Sequence, residues 1–182
     1  MATTKYWISI VSKQHVENGI RESICQMCHG KKGPISKLSP GDWLIYYSPR
    51  VTMDRKSESV KSFTAIGQIK DDNVYLFKMS ENFSAHRRSV SYLPDLKDVE
   101  IQPLLDNLSF TKGKGSKWGA IFRRGLFEID SSDFNLIKSK MVQTNISSLN
   151  DRVENNNNDN DNDDNEDDEH LQKKTKKQKI NT

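Results

Sequence analysis

The chain of 182 residues changes character near residue 143, and that break limits what can fold. Ahead of it, apolar and aromatic residues recur regularly. Behind it they nearly vanish, and Asn155 to Glu169 is a run of Asn, Asp and Glu. Such a run has too little apolar surface to offset the entropy of ordering, so residues 143–182 are expected to form a disordered tail. Residues 1–142 are then the one folded domain. A domain of about 140 residues buries roughly two thirds of its unfolded surface and needs no covalent or metal braces.

Charge divides along the same line. Residues 1–150 hold 22 Lys/Arg against 15 Asp/Glu, and residues 151–182 hold 6 against 10. A basic domain tilts the expectation toward polyanionic partners. The cluster Lys173–Lys179 reads either as a nuclear-import signal or as a solubilising end to the acidic run. Cys25 and Cys28 are too close in sequence to brace a domain and read as reduced thiols of a cytoplasmic or nuclear protein. Met1–Trp7 shows no basic segment followed by a long apolar one. No window approaches the roughly 20 apolar residues that span a bilayer, so no membrane partner is expected.

Within the domain, Lys5–Val11 reads as a first strand, and Ser12 as the N-cap of a short helix that ends at Gly19. Asp42–Ser48 is a second strand, apolar enough for burial on both faces. Phe63–Ile69 and Val74–Lys78 read as a hairpin across Asp71-Asp72-Asn73, and Arg88–Tyr92 as a further strand. Gln102–Leu108 suits a short helix, Leu126–Ile129 a brief strand, and Asp130-Ser131-Ser132 caps a closing helix through Met141. Arg50–Ser62 is a long polar loop, expected to be mobile. The irregular order points to an α+β fold with a small, partly open barrel, not a doubly wound sheet.

Several chemistries can be weighed on the residues. Cys25-Gln-Met-Cys28-His29 spells a haem-attachment pattern, but that chemistry needs an oxidising, haem-supplied compartment. The same three side chains lack a second Cys/His pair at zinc-finger spacing, so no metal or cofactor is expected. No G-x-S-x-G elbow and no phosphate-cradling Gly-rich loop is present, and the carboxylates sit in turns or at helix starts, where they cap. No catalytic residue is assigned. More telling is His29-Gly30-Lys31 ahead of a strand ending Tyr46-Tyr47-Ser48-Pro49-Arg50. Rings suit stacking on a base, Lys and Arg suit a phosphate, and glycine permits close backbone approach. Trp7, Phe63 and Trp118 add ring faces, and Arg87, Arg88, Arg123 and Arg124 add cations. Half of the aromatics are expected to be plain core.

The succession Tyr6-Trp7-Ile8, Val11-Ser12, His15-Val16, Gly19-Ile20, Gln26, His29-Gly30-Lys31, Gly41-Asp42, Tyr46–Pro49, Phe63–Gly67, Arg87-Arg88, Pro103–Leu105, Trp118-Gly119 and Asp133-Phe134 resembles the EVE domain. It is most similar to the small stand-alone EVE proteins, within the superfamily of PUA, ASCH and YTH domains. The resemblance covers residues 5–141. It implies a PUA-like pseudo-barrel of short strands with flanking helices, and a pocket for one nucleobase.

Carried onto this chain, the resemblance marks Trp7, Ser12, His29, Lys31, Tyr47, Ser48, Phe63 and Trp118; Gly30, Pro49 and Arg50 join them from the residue reading. In that expectation Ser12 meets a base edge, and His29 with the Gly30 amide meets base or phosphate. Lys31 and Arg50 pair with the backbone, and Tyr47 or Trp118 forms a stacking wall. The leading expectation is a non-catalytic module that takes a flipped, modified or unmodified base from RNA or DNA. The alternatives are an enzyme acting on a nucleotide-like small molecule in the same pocket, or an adaptor working through the acidic tail.

Overall fold

Strand-forming residues crowd the start of the domain. The computed structural model, which describes residues 3–143, forms strand β1 there, Tyr6–Ile10. The expected tail and its Lys173–Lys179 cluster lie outside the described residues. Seven more strands follow: β2 (Ile24–Cys25), β3 (Trp43–Arg50), β4 (Ser59–Ile69), β5 (Tyr75–Ser80), β6 (Phe83–Tyr92), β7 (Val99–Glu100) and β8 (Leu126–Ile129). They join in one sheet of order β2-β6-β4-β3-β1-β8, with β5 on β6 and β7 on β4, curled into a half-barrel. β1 and β3 are parallel and every other pairing is antiparallel. A parallel neighbour needs a long crossover, and residues 11–42 supply it with helix α1 (Lys13–Glu22) and the short α2 (Lys32–Ile35). Helix α3 (Ser131–Met141) closes the domain, capped by Asp130 accepting from Asp133 N at 2.8 Å.

Both faces of the sheet are covered, as the unbroken apolar run of β3 requires. Ile8, Ile45 and Tyr47 point into one cluster with Phe110, Phe127, Phe134 and Ile137. Trp7, Leu44 and Tyr46 point into the other with Val16, Cys25, Met27 and Ile35. Alternation alone would put Phe63 and Ala65 of β4 on one face. The register shift between Tyr46 and Tyr47, paired with Ala65 and Phe63, inserts an extra residue and turns Phe63 to join Ile66. Each fully buried Ile or Phe contributes about 1.5–3 kcal/mol, so neither cluster is dispensable.

Several local expectations change. Phe63–Ile69 and Val74–Lys78 do not pair with each other. Both run antiparallel to β6, so β4 and β5 share a direction, and the hairpin forms instead between β5 and β6. Asp71-Asp72-Asn73 is a kink rather than a hairpin turn, and buried Arg88 clamps it. Arg88 donates to Asp71 O at 2.7 Å, to Asp72 Oδ1 at 3.1 Å and to Leu38 O. Gln102–Leu108 shortens to a 3-10 turn at Gln102–Leu104, with Pro103 in its first turn, and successive turns follow it. Gly115–Arg124 is a ten-residue 3-10 segment that no local sequence signal announces. α1 runs on past Gly19 to Glu22 and ends on left-handed Ser23, while Ser12 takes the N-cap position without a side-chain bond. The polar loop narrows to residues 51–58, tied by Val51 N to Glu58 O at 3.0 Å and Thr52 N to Ser57 Oγ at 2.9 Å.

Candidate nucleic-acid interface

The turn Cys28-His29-Gly30 lies in the left-handed region at three consecutive residues, with φ of 48°, 57° and 73°. Two of these are not glycine, a costly backbone that persists only where surroundings hold it. Gly30 N donates to Met27 O at 2.9 Å, and His86 Nδ1 donates to Gly30 O at 3.0 Å. A Cβ on Gly30 would fall 2.7 Å from the Ala85 Cα and 2.6 Å from its Cβ, so β6 packs directly on the turn. The Gly30 amide is therefore spent inside the turn and does not face a ligand.

The turn forms one wall of a cleft of about 650 Å³. Ile10 and Val11 come to it from the end of β1, His15 from α1, and Gln26 and Met27 from the segment after β2. Met53 comes from the β3–β4 loop, Met79 and Phe83 from the β5–β6 hairpin, and Arg123 to Gly125 from ahead of β8. The cleft is apolar within and cationic at its rim, where Lys31, Arg123 and Arg124 are exposed. Met53 is 71% exposed, Met79 45% and Phe83 42%, an unusual display of large apolar side chains beside three cations.

Of the residues singled out from sequence, the cleft gathers Cys28, His29, Gly30, Lys31, Arg123 and Arg124. Ser12 is buried one residue beyond cleft-lining Val11. Trp7 is buried, its Nε1 donating to Asp42 Oδ2 at 3.0 Å. Phe122 stacks on Tyr47 at 4.1 Å and 18°, so the Tyr47 ring has no open face. Phe63 meets Tyr47 edge-on at 5.8 Å, and half-buried Trp118 meets Phe122 edge-on at 5.9 Å. Ser48 is bound to Thr64 Oγ1 at 2.8 Å. Half-buried Pro49 follows it in β3, and Arg50 donates to Ser57 O at 2.7 Å, holding the loop. Tyr47, Phe63 and Trp118 form core on the sheet face bearing α3 and Trp7 on the opposite face, and Phe83 is the aromatic that opens to the cleft.

Arg87 and Arg88 are likewise internal. Arg88 clamps the kink, and Arg87 donates to Gln26 Oε1 at 3.0 Å and Glu22 at 2.6 Å while lying 3.9 Å over the Phe77 ring. Cys28 lines the cleft half-buried, and burial raises its thiol above the ordinary value, offset partly by Lys31 and Lys37. Cys25 is buried beneath it in β2. No cluster of three or more His, Cys, Asp or Glu side chains fit to hold a metal occurs among the described residues. Phe83 and Met79 carry no local signal because they fall between the expected strands Val74–Lys78 and Arg88–Tyr92, and Met53 carries none because it falls in the polar loop Arg50–Ser62.

A mixed, curled half-barrel with a helix crossing from β1 and α3 closing it is the architecture of PUA-like domains. Residues 5–140 match the EVE domain, and the chain belongs to that family. A UPF0310 protein of Mycolicibacterium vanbaalenii is 43% identical over 136 residues, 75% of this chain and 92% of the relative. UPF0310 protein YdcG of Bacillus subtilis is 42% identical over 146 residues, 80% of this chain and 97% of the relative. The fold is also similar to the YTH domain of Zygosaccharomyces rouxii MRB1, solved with N6-methyladenosine RNA. The TM-score is 0.51 at 13% identity, covering 80% of this chain and 93% of that one.

Proposed function

We propose that this domain is a non-catalytic reader of single-stranded or unstacked nucleic acid that takes one base, modified or not, into the cleft beside His29. The observation that carries the reading is the pairing of an apolar cleft, walled by Met27, Met53, Met79 and Phe83, with a rim of Lys31, Arg123 and Arg124. A base is flat and apolar on its faces, and the phosphates beside it are anionic, so one nucleotide satisfies both halves. Stacking on a ring such as Phe83 contributes about 1–3 kcal/mol. A single buried methyl adds only about 0.8 kcal/mol, so choosing a methylated base needs a shaped wall and a polar edge as well.

The YTH neighbour's RNA complex supports the reading at the level of fold. The lining of the cleft includes no carboxylate, and so none of the close carboxylate pairs that would favour an enzyme; His15 and His29 are the groups there that could move a proton.

The test is retention from a mixture. Cellular RNA and DNA, digested to short single strands, are passed over the immobilised full chain and over its Arg123→Glu/Arg124→Glu variant. Mass spectrometry of retained nucleosides should show one or a few enriched on the unaltered chain. Equal retention by the two proteins would sink the reading.

A further inference from the structure

Gln26 is a polar side chain of the cleft whose orientation is dictated by the fold. It is only 6% exposed, and its Oε1 accepts from Arg87 Nε at 3.0 Å. Guanidinium groups donate and never accept, so the amide oxygen must face Arg87 and the flipped arrangement is excluded. Arg87 is fixed in turn: Nη1 pairs with Glu22 at 2.6 Å, and the guanidinium lies 3.9 Å over the Phe77 ring. The Gln26 main chain is pinned too, its carbonyl accepting from His15 Nε2 at 2.9 Å. Arg87 lies in a second, small recess of about 60 Å³, shared with Asn18, Glu22 and Met79, and Gln26 stands between that recess and the cleft. Among the described residues, nothing accepts from the Gln26 amide nitrogen.

The geometry points to Gln26 as the selectivity residue of the cleft, a fixed N–H donor that admits keto-bearing bases (guanine, cytosine, uracil, thymine) and disfavours adenine. This rests on the proposed nucleic-acid reading. The chemistry is one of unmatched donors. A free glutamine recognises adenine with both ends of its amide, oxygen to the amino group and nitrogen to the adjacent ring nitrogen. Here the oxygen is already consumed by Arg87. On the Watson–Crick and Hoogsteen edges adenine's acceptors N1 and N7 are each flanked by the N6 amino donor, which would meet N–H groups and no acceptor, and N3 lies on the sugar edge, beside the backbone. An unpaired donor buried in this way is costly. A keto oxygen has two lone pairs, and in guanine, uracil and thymine the one turned away from the neighbouring ring N–H, or in cytosine either one of O2, takes a nitrogen that only donates with no donor beside it. The same argument disfavours N6-methyladenine, which keeps a donor at that position, although the YTH neighbour was solved with it.

Fluorescein-labelled single strands of nine residues, four adenosines on each side of a central A, C, G or U (T in the DNA set), test this by anisotropy with the full chain. At least one keto-centred strand should bind about 10- to 100-fold tighter than the all-adenine strand. Gln26→Glu keeps an acceptor for Arg87 but loses the donor, so that ratio should collapse toward one. Gln26→Met, which adds no charge, should collapse it likewise. Arg87→Lys frees the amide to rotate and should narrow the ratio by tightening the all-adenine strand. The ratio is read, so general weakening by an added charge does not count as success. If the unaltered chain binds all strands equally, or prefers adenine, the Gln26 assignment is overturned while nucleic-acid binding stands. If it binds none, the nucleic-acid reading fails and takes this one with it. A ratio unmoved in folded Gln26→Met also overturns the assignment.

Discussion

Trp7 and Asp42 meet in the core, the indole N–H of one donating to the carboxylate of the other at 3.0 Å. The same carboxylate accepts from Lys5 N and Ser39 N, each at 2.9 Å. One buried anion thus ties the entry of β1, the turn before β3 and a core ring. Hydrogen bonds to a charged group contribute about 1.5–3 kcal/mol, and removing the acceptor leaves three donors unpaired. Asp42→Ala should therefore lower stability by about 3–5 kcal/mol in urea unfolding, and Asp42→Asn by less. A loss under about 1 kcal/mol for Asp42→Ala would show that the three donors find other partners.

Gly30→Ala is expected to cost more than an ordinary surface glycine. The residue has φ of 73°, and an added Cβ would press on the Ala85 backbone at 2.7 Å. A left-handed alanine costs about 1–2 kcal/mol, and the clash adds to it. The turn and β6 should separate, so the thermal midpoint should fall and the His86 Nδ1 to Gly30 O bond should loosen. Slow amide exchange at Gly30 that survives the substitution would contradict the packing described.

Two aromatic substitutions separate core from cleft. Tyr47→Ala removes a ring stacked on Phe122 and edge-on to Phe63, and should cost about 3–5 kcal/mol of stability. Phe83→Ala removes a ring that is 42% exposed, and should leave stability within about 1 kcal/mol while weakening single-strand binding by about 1–3 kcal/mol. Chemical unfolding and anisotropy on the same preparations decide it. The reverse pattern would return the base to Tyr47.

The contrast between Tyr47 and Phe83 shows where sequence was legible. Strands such as Trp43–Arg50 announce themselves by apolar runs, and α3 by its Asp130 cap, because those signals are local. Which face of a strand becomes pocket is not local. It depends on the shift between Tyr46 and Tyr47, on a 3-10 segment that brings Phe122 over Tyr47, and on β5 pairing with β6 instead of β4. That His29-Gly30-Lys31 forms a turn was legible because the three residues are adjacent, and the structure adds that this turn walls the cleft. Arg87 and Arg88 look alike in sequence to phosphate contacts, and only their partners, Gln26, Glu22, Asp71 and Leu38, reveal them as internal clamps.

The two thiols predict an alkaline weakening. Burial raises Cys25 to about 12. The folded state therefore holds this proton more tightly than the unfolded state, and the group's contribution is full below the ordinary thiol value. It is lost as pH rises from about 9 toward 12, at up to about 1.4 kcal/mol per pH unit. Wild type should lose about 1–2 kcal/mol more than Cys25→Ala between pH 8.5 and 10.5. Equal losses in urea titrations of the two proteins would place the thiol in water. At pH 7, iodoacetamide should modify Cys28 slowly, and Cys25 only on unfolding.

The rim makes a claim about charge that is separable from stacking. Lys31, Arg123 and Arg124 are exposed, and no hydrogen bond or ion pair from their side chains occurs among the described residues. A cation held in an internal network would change stability when removed; one waiting for phosphate would not. Lys31→Ala, Arg123→Ala and Arg124→Ala should each leave the thermal midpoint nearly unchanged. Each that meets a phosphate should flatten the logarithmic salt dependence of single-strand binding by about 0.7. Affinity should fall alike for keto-centred and all-adenine strands, since phosphate contacts carry no base information. Phe83→Ala should weaken binding with the slope intact. If all three cation variants keep the full slope, the phosphates run elsewhere on the domain and the cleft holds at most a free base.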